Sequence, residues 1–498
     1  MTARRAGLLL HVSSLASPHG IGDLGDEATR IMDWMNHAGL RIWQTLPIGP
    51  VGVDGSPYTS WSANLGNPML LDLRALAQAR LVDPDVARAT LPVQGVDYAS
   101  VRRAKLPIVR QAAQRLVKAY DHPWQPELAA FRTSHPWVQE AATFSVLREQ
   151  QLEADGTPTP WWRWRPGLRD RRPRSLSAET KRLAQEIETE VALAYLFDRQ
   201  WRALRGRARE RGIELFGDMP IYVGGDSVDV WTSPERFQLD KKRAPVAVAG
   251  VPPDAFSEVG QLWGNPLYDW DAHAAEGYRW WCQRLERAFE LFDIVRIDHF
   301  RAFAAYWAVP AEADDARAGA WIEGPGGALF DAIRANLGEV NIVAEDLGTI
   351  DDQVQALMEQ TGLPGMEVLQ FAFDGDPNNG YLPHQHRNNA VAYVGTHDND
   401  TALGWWSGLS DDERHRVRVY YGRSGDDIVW DLIRSALSSV ADRAIVTAQD
   451  VLALDGRGRM NTPGRPRGNW QWRMEPDALK PTHADRLREL CWSYGRMQ

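Results

Sequence analysis

The chain has 498 residues, with 56 Lys and Arg against 66 Asp and Glu, so its formal net charge is −10. An acidic excess this mild gives no electrostatic case for nucleic acid or an anionic membrane as partner. With 44% hydrophobic and 24% charged residues the composition is that of an ordinary folded protein, yet 22 Trp against 13 Tyr and 13 Phe is a surplus of rigid, amphipathic ring surface.

Short β-rich runs, most followed by a helical pattern, recur along the chain. The first is GLLLHV from Gly7. The basic start before it could pass for a secretory signal, but the apolar core from Gly7 to Val12 is too short and no A-x-A site follows. Next come LRIWQTLPI from Leu40, GIELFGDMPIYV from Gly212, FDIVRID from Phe292 and AAYWAVP from Ala304. VNIVAED from Val340, MEVLQFAF from Met366 and AVAYVGTHD from Ala390 complete eight. Strands alternating with helices imply a parallel sheet, and eight such units point to a closed (β/α)8 TIM barrel.

Uneven spacing locates the insertions in what reads as one catalytic barrel domain over 1–498. The stretch of about 73–205, rich in Ala, Arg, Leu and Gln, has helical periodicity and predicts a helical subdomain. Within it, Trp161 to Arg174 (WWRWRPGLRDRRPR) reads as a solvated connector. A second excursion, about 224–275, is dense in Gly, Pro and aromatics and reads as a loop region that covers substrate. After the eighth run the remaining residues suffice for closing helices and not for a separate C-terminal β-sandwich.

Three of the runs end in acids: Asp298, Glu345 with Asp346, and Asp398. Counting along the chain puts them on strands four, six and eight, and barrel enzymes gather chemistry where strands end. Converging carboxylates bind a hard metal, share a proton or cleave a glycosidic bond. No HExxH or EF-hand pattern supports a metal, and no cofactor is expected. Glycoside chemistry needs one carboxylate ionised and another protonated. Arg296, two residues before Asp298 on the same strand face, is placed to hold Asp298 ionised, and the longer Glu345 suits a proton shuttle. Asp218, in FGDMPIYV, either caps a turn or joins the site. On these residues alone, retaining and inverting glycosidases both remain open.

GIGDLG from Gly20 to Gly25 matches G-x-G-x-x-G. The long SSLASPH spacer before it, and a second strand lacking an acidic ribose ligand, argue against a dinucleotide site.

The motifs SSLASPHGIGDLG, WQTLPIGP, GSPYTSWSANLGNP, FGDMPIYV, GVPPDAFSEVGQLWGNPLYDW, VRIDHFRAF, VAEDLG, LPGMEVLQFAF and VGTHDNDT run nearly end to end. Together they resemble the 4-α-glucanotransferases of the amylomaltase type, in the α-amylase clan. The resemblance implies a retaining mechanism with Asp298 as nucleophile, Glu345 as general acid/base and Asp398 as transition-state stabiliser. It implies that Arg296, His397 and Asp218 position the nucleophile and sugar hydroxyls, and that Tyr58 lies under the donor sugar. Asp254, Phe256 and Trp263 resemble the mobile loop over the acceptor side. The implied partners are maltooligosaccharides, amylose or glycogen-type glucans, with glucose as acceptor. Most of the 22 Trp are expected in the core, with Trp263 the best candidate for substrate. Two cysteines, Cys282 and Cys491, suit a reducing cytoplasm. A hydrolytic α-glucosidase or amylase, and a non-catalytic glucan-binding protein, are the competing readings.

Overall fold

The computed structural model describes residues 4–52, 54–91, 95–153, 157–253, 257–465 and 467–497. Its strands are β1 (Arg5–Leu9), β2 (Ile42–Gln44), β3 (Glu214–Pro220), β4 (Ala247–Val251), β5 (Gln261–Pro266), β6 (Ile294–Asp298), β7 (Ala305–Pro310), β8 (Ala320–Glu323), β9 (Ile342–Ala344), β10 (Gly365–Val368), β11 (Ala390–Tyr393) and β12 (Arg443–Thr447). Eight of them form a parallel sheet in the order β10-β11-β12-β1-β2-β3-β6-β9. The ring is bridged between its ends by Ala344 N–H donating to Pro364 O at 2.9 Å. This is a (β/α)8 barrel.

The sequence reading misassigned one strand. Ala305–Pro310 is not a barrel strand: it pairs antiparallel with β4 and β8 in a second sheet of order β5-β4-β7-β8. The eighth barrel strand is β12, which pairs in parallel with both β1 and β11. Its apolar run is only RAIVT, too short to stand out from the helical pattern before it. The acids therefore follow barrel strands four, five and seven, not four, six and eight. Convergence survives because all βα loops open at one end of the barrel, whichever strand carries them. The stretch read as loop-like also holds two strands, β4 and β5, and a short helix, Val228–Thr232.

Leu9, Ile42, Phe216, Ile294, Val343, Met366, Val368, Val391, Tyr393 and Ile445 fill the barrel interior. Each gains about 1.5–3 kcal/mol on leaving water, so this layer carries stability and the polar layer above it is free for chemistry. Between β2 and β3 lie helices, among them Tyr98–Lys118, Trp137–Gln150 and Ala184–Glu210. Trp161 and Trp164 are buried there, so that segment is packed rather than a solvated connector. Trp43, Trp161, Trp201, Trp231 and Trp281 are among the largest fully buried side chains. No helix among the described residues is long and apolar enough to cross a membrane.

The G-x-G-x-x-G loop has a packing explanation. A Cβ on Gly22 would stand 1.8 Å from Val12 O. The amides of Gly22, Asp23, Leu24 and Gly25 donate to Ser13 O, Ser17 Oγ, Leu70 O and Asp23 Oδ1. They are thus committed within the chain and cannot cradle a phosphate.

Candidate active site

Asp218 and Arg296 are register partners on β3 and β6, so their side chains enter the barrel side by side. Arg296 Nη1 donates to Asp218 Oδ2 at 2.7 Å and its Nη2 lies 2.8 Å from Asp298 Oδ1. The i, i+2 spacing read from the sequence is what lets one guanidinium hold both acids. Asp298 is the last residue of β6 and keeps 26% of its side chain open to the mouth.

After Asp298 the backbone turns sharply. His299 takes φ 55 and ψ 48, a left-handed conformation that aims its N–H at Glu345 Oε2, 2.7 Å away. Leu347 N–H donates to Glu345 Oε1 at 2.9 Å. Two backbone donors, one of them from the residue after Asp298, thus orient the Glu345 carboxylate. Asp346, beside it in the sequence, points elsewhere. It accepts from Met366 N–H at 2.7 Å and from Arg387 at 3.0 Å, and so ties the loop to β10 as a structural acid.

Asp398 lies beyond β11. Asn461 Nδ2 donates to its Oδ1 at 2.6 Å, and Arg459 donates to its backbone carbonyl at 2.6 Å. His397 Nε2 is 3.2 Å from Asp398 Oδ2 and 2.7 Å from Tyr58 Oη, while Tyr58 Oη also donates to Asp218 Oδ2 at 2.7 Å. One proton assignment satisfies these contacts. Tyr58 gives its proton to Asp218, so His397 must donate from Nε2, which leaves Nδ1 bare. Burial lowers the His397 pKa, favouring this neutral ring, and Nδ1 has no partner among the described residues. His11, hydrogen-bonded to Thr45, is dropped to about 3 by burial and by His397.

Four carboxyls face one guanidinium here. Burial first, then Asp218, Glu345 and Asp398, push Asp298 up to about 8 against the opposing pull of Arg296. Burial also raises Glu345, opposed by Arg296 and by the two backbone N–H groups. The pair therefore retains a proton near neutral pH. The direct guanidinium contact belongs to Asp298, which favours the anion there and the proton on Glu345.

Seven predicted residues, Asp298, Glu345, Asp398, Arg296, His397, Asp218 and Tyr58, form this one network. Trp263, on β5 and 37% exposed, stands edge-on to the His299 ring at 4.7 Å, so it borders the same mouth. Asp254 and Phe256 lie outside the described residues. The sequence reading missed Asn461, Arg459 and Trp470, all of which reach the site from beyond β12. Trp470 stacks near Tyr58 and His397 at 5.5 and 6.0 Å. Among the described residues no group of three or more His, Cys, Asp or Glu is disposed to hold a metal ion.

Comparison with known proteins agrees with this geometry. The profile of the family described as 4-alpha-glucanotransferase matches residues 10–479. The chain belongs to the 4-alpha-glucanotransferase family. It is 44% identical to the 4-alpha-glucanotransferase of Thermus thermophilus over 99% of both chains. It is also 44% identical to the chloroplastic/amyloplastic 4-alpha-glucanotransferase of Arabidopsis thaliana, over 99% of this chain and 86% of that one. An amylomaltase from Streptococcus agalactiae, solved in complex with acarbose, superposes with a TM-score of 0.95 at 34% identity, covering 99% of each chain. A 4-alpha-glucanotransferase fold thus carries the acid network described above.

Proposed function

We propose that this 4-alpha-glucanotransferase moves a segment of an α-1,4-glucan to the 4-hydroxyl of glucose or another maltooligosaccharide by double displacement at Asp298 and Glu345. In the first half, an Asp298 oxygen attacks C1 of the donor sugar while Glu345 gives its proton to the glycosidic oxygen. The C1–O bond breaks, and the leaving glucan departs with a free 4-hydroxyl. In the second half, Glu345 takes the proton from an incoming 4-hydroxyl, whose oxygen displaces Asp298 from C1. The observation that supports this reading is the Arg296 guanidinium in contact with Asp298, beside a Glu345 held by two backbone donors and with no ion pair among the described residues. Asp398, with His397 and Tyr58, lines the donor side and bonds hydroxyls that tighten as the ring flattens. Trp263 borders the acceptor side. The chain works as one catalytic unit, with the segments at about 73–205 and 224–275 as its insertions. Two free buried thiols, Cys282 and Cys491, are consistent with a reducing cytoplasm as its location.

The test is incubation with maltotriose. Transfer yields glucose and longer oligomers at a constant number of reducing ends. A steady rise in reducing ends would instead mean a hydrolase, and an unchanged substrate would mean a binding protein.

A further inference from the structure

Trp470 combines a conformation a tryptophan rarely adopts with a place behind the donor side of the site. Its φ is +66, in the left-handed region that Gly occupies at no steric cost and a bulky side chain does not. The strain is held from several directions. Trp470 N–H donates to Met460 O at 2.7 Å, and its carbonyl accepts from Tyr98 Oη at 3.1 Å. The next carbonyl, of Gln471, accepts Val96 N–H at 2.8 Å. Tyr98 and Val96 belong to the helical insertion, so that insertion reaches the back of the site at Trp470 and Gln471.

The ring is where the conformation has its use. Tyr58 and His397 stack with centroids 5.6 Å apart and planes 15° from parallel. Trp470 lies against both, tilted about 40° to each, and is itself only 7% exposed. Tyr58 Oη sits between Asp218 and His397 at 2.7 Å from each, so a swing of the Tyr58 side chain about χ1 breaks both bonds at once. A third ring packed on the pair removes the space for that swing. Gly at 470 would relieve the backbone and lose this support, which is the reason for a tryptophan at a glycine-like φ.

We infer that Trp470 is a positioning residue, whose ring fixes the tilt and separation of Tyr58 and His397 while the helical insertion holds its backbone in place. This rests on the proposed assignment of Tyr58 and His397 to the donor sugar.

The experiment uses the full chain with maltotriose and compares Trp470→Gly and Trp470→Phe with Tyr58→Phe and His397→Ala. Trp470→Gly is expected to lower kcat/KM about 100-fold, mostly in kcat, as misplacement of reacting groups does. Its melting temperature falls by only a few degrees, because backbone relief offsets part of the lost burial. Trp470→Phe restores activity to within about tenfold, since a smaller ring still blocks rotation. If the Gly variant does not fold, Trp470→His carries the test, because His tolerates the left-handed region and presents a smaller ring. A Gly or His variant within about twofold of parental kcat, or a loss that tracks only the unfolded fraction, overturns the inference. If instead Tyr58→Phe and His397→Ala leave kcat intact, the donor-side assignment fails, which is a different result.

Discussion

The backbone N–H of His299 donates to Oε2 of Glu345 at 2.7 Å, so the residue after one carboxylate of the pair anchors the other. Any shift of β6 at its end moves both groups together. The proposed nucleophile and acid/base are thereby kept in register by a single peptide unit rather than by two independent loops.

That coupling separates the two roles by leaving group. Glu345→Gln keeps one of the two backbone contacts, because its amide nitrogen cannot accept the other N–H, and loses the proton, so kcat on maltotriose is expected to fall about 10²–10⁴-fold. A glucosyl fluoride donor needs no proton on departure, so with it the glycosylated enzyme still forms and is detectable by mass spectrometry. Asp298→Asn is expected to form no adduct with either donor, and an adduct in that variant would remove Asp298 from its role.

The pH dependence of stability follows from the proton that the Asp298–Glu345 pair retains. Burial raises both carboxyls, with titration reaching about 8, above the ordinary carboxylate range, so in between the folded pair binds a proton that the unfolded chain has lost. The associated stability is complete below pH 3.8 and is lost as pH rises toward 8. Asp298→Asn, which leaves only one ionisable carboxyl in the pair, should therefore melt about 1–3 °C higher than the parent at pH 8. The difference should shrink toward pH 4. Scanning calorimetry across that range checks it, and a gap that widens on acidification would contradict it.

Arg296 is buried and balances Asp218, whose side chain is fully buried. Arg296→Met strands that carboxylate and is expected to cost about 3–5 kcal/mol of stability, together with activity. Adding Asp218→Leu removes the orphaned charge, so the double variant should regain much of the stability and none of the turnover. Denaturant melts on the single and double variants give the coupling directly.

Asn461 donates to Asp398 over 2.6 Å from a segment 63 residues further along the chain. Hydrogen bonds to a charged group are worth about 1.5–3 kcal/mol, so Asn461→Ala is expected to lower kcat/KM roughly 10–100-fold. Asn461→Asp, which brings a like charge against Asp398, should be worse than Ala. Equal effects from the two substitutions would mean that orientation, not charge, is what Asn461 supplies.

The acids were legible because each closes a run of strand residues, and Arg296 because the two-residue repeat of a strand fixes its face. Asp346 shows the limit of that signal: adjacent to Glu345, it serves the frame, because the chain has already turned. β12 was hidden by brevity and β7 by looking like a barrel strand, since a five- or six-residue apolar run carries no mark of the neighbour it will pair with. Asn461 and Trp470 were illegible for another reason. Their partners Asp398, Tyr58 and His397 lie far away in sequence, and no local spacing encodes such a meeting. The Trp surplus divides accordingly: most rings seen buried pack the core, while Trp263 borders the mouth and Trp470 supports it from behind.

β9 leaves the barrel's ladder after pairing with β6, and Ala344 N–H to Pro364 O is the bond that carries the ring across to β10. Ala344 directly precedes Glu345. The hoop of hydrogen bonds is therefore thinnest at the residue before the proton carrier, and breathing of the barrel opens there first. In amide exchange, Ala344 should lose its protection earlier than Ile297 or Ala392 on the fully laddered strands, and a glucan lying across the mouth should slow it. The stave that must both give and retrieve a proton is laddered on one side only.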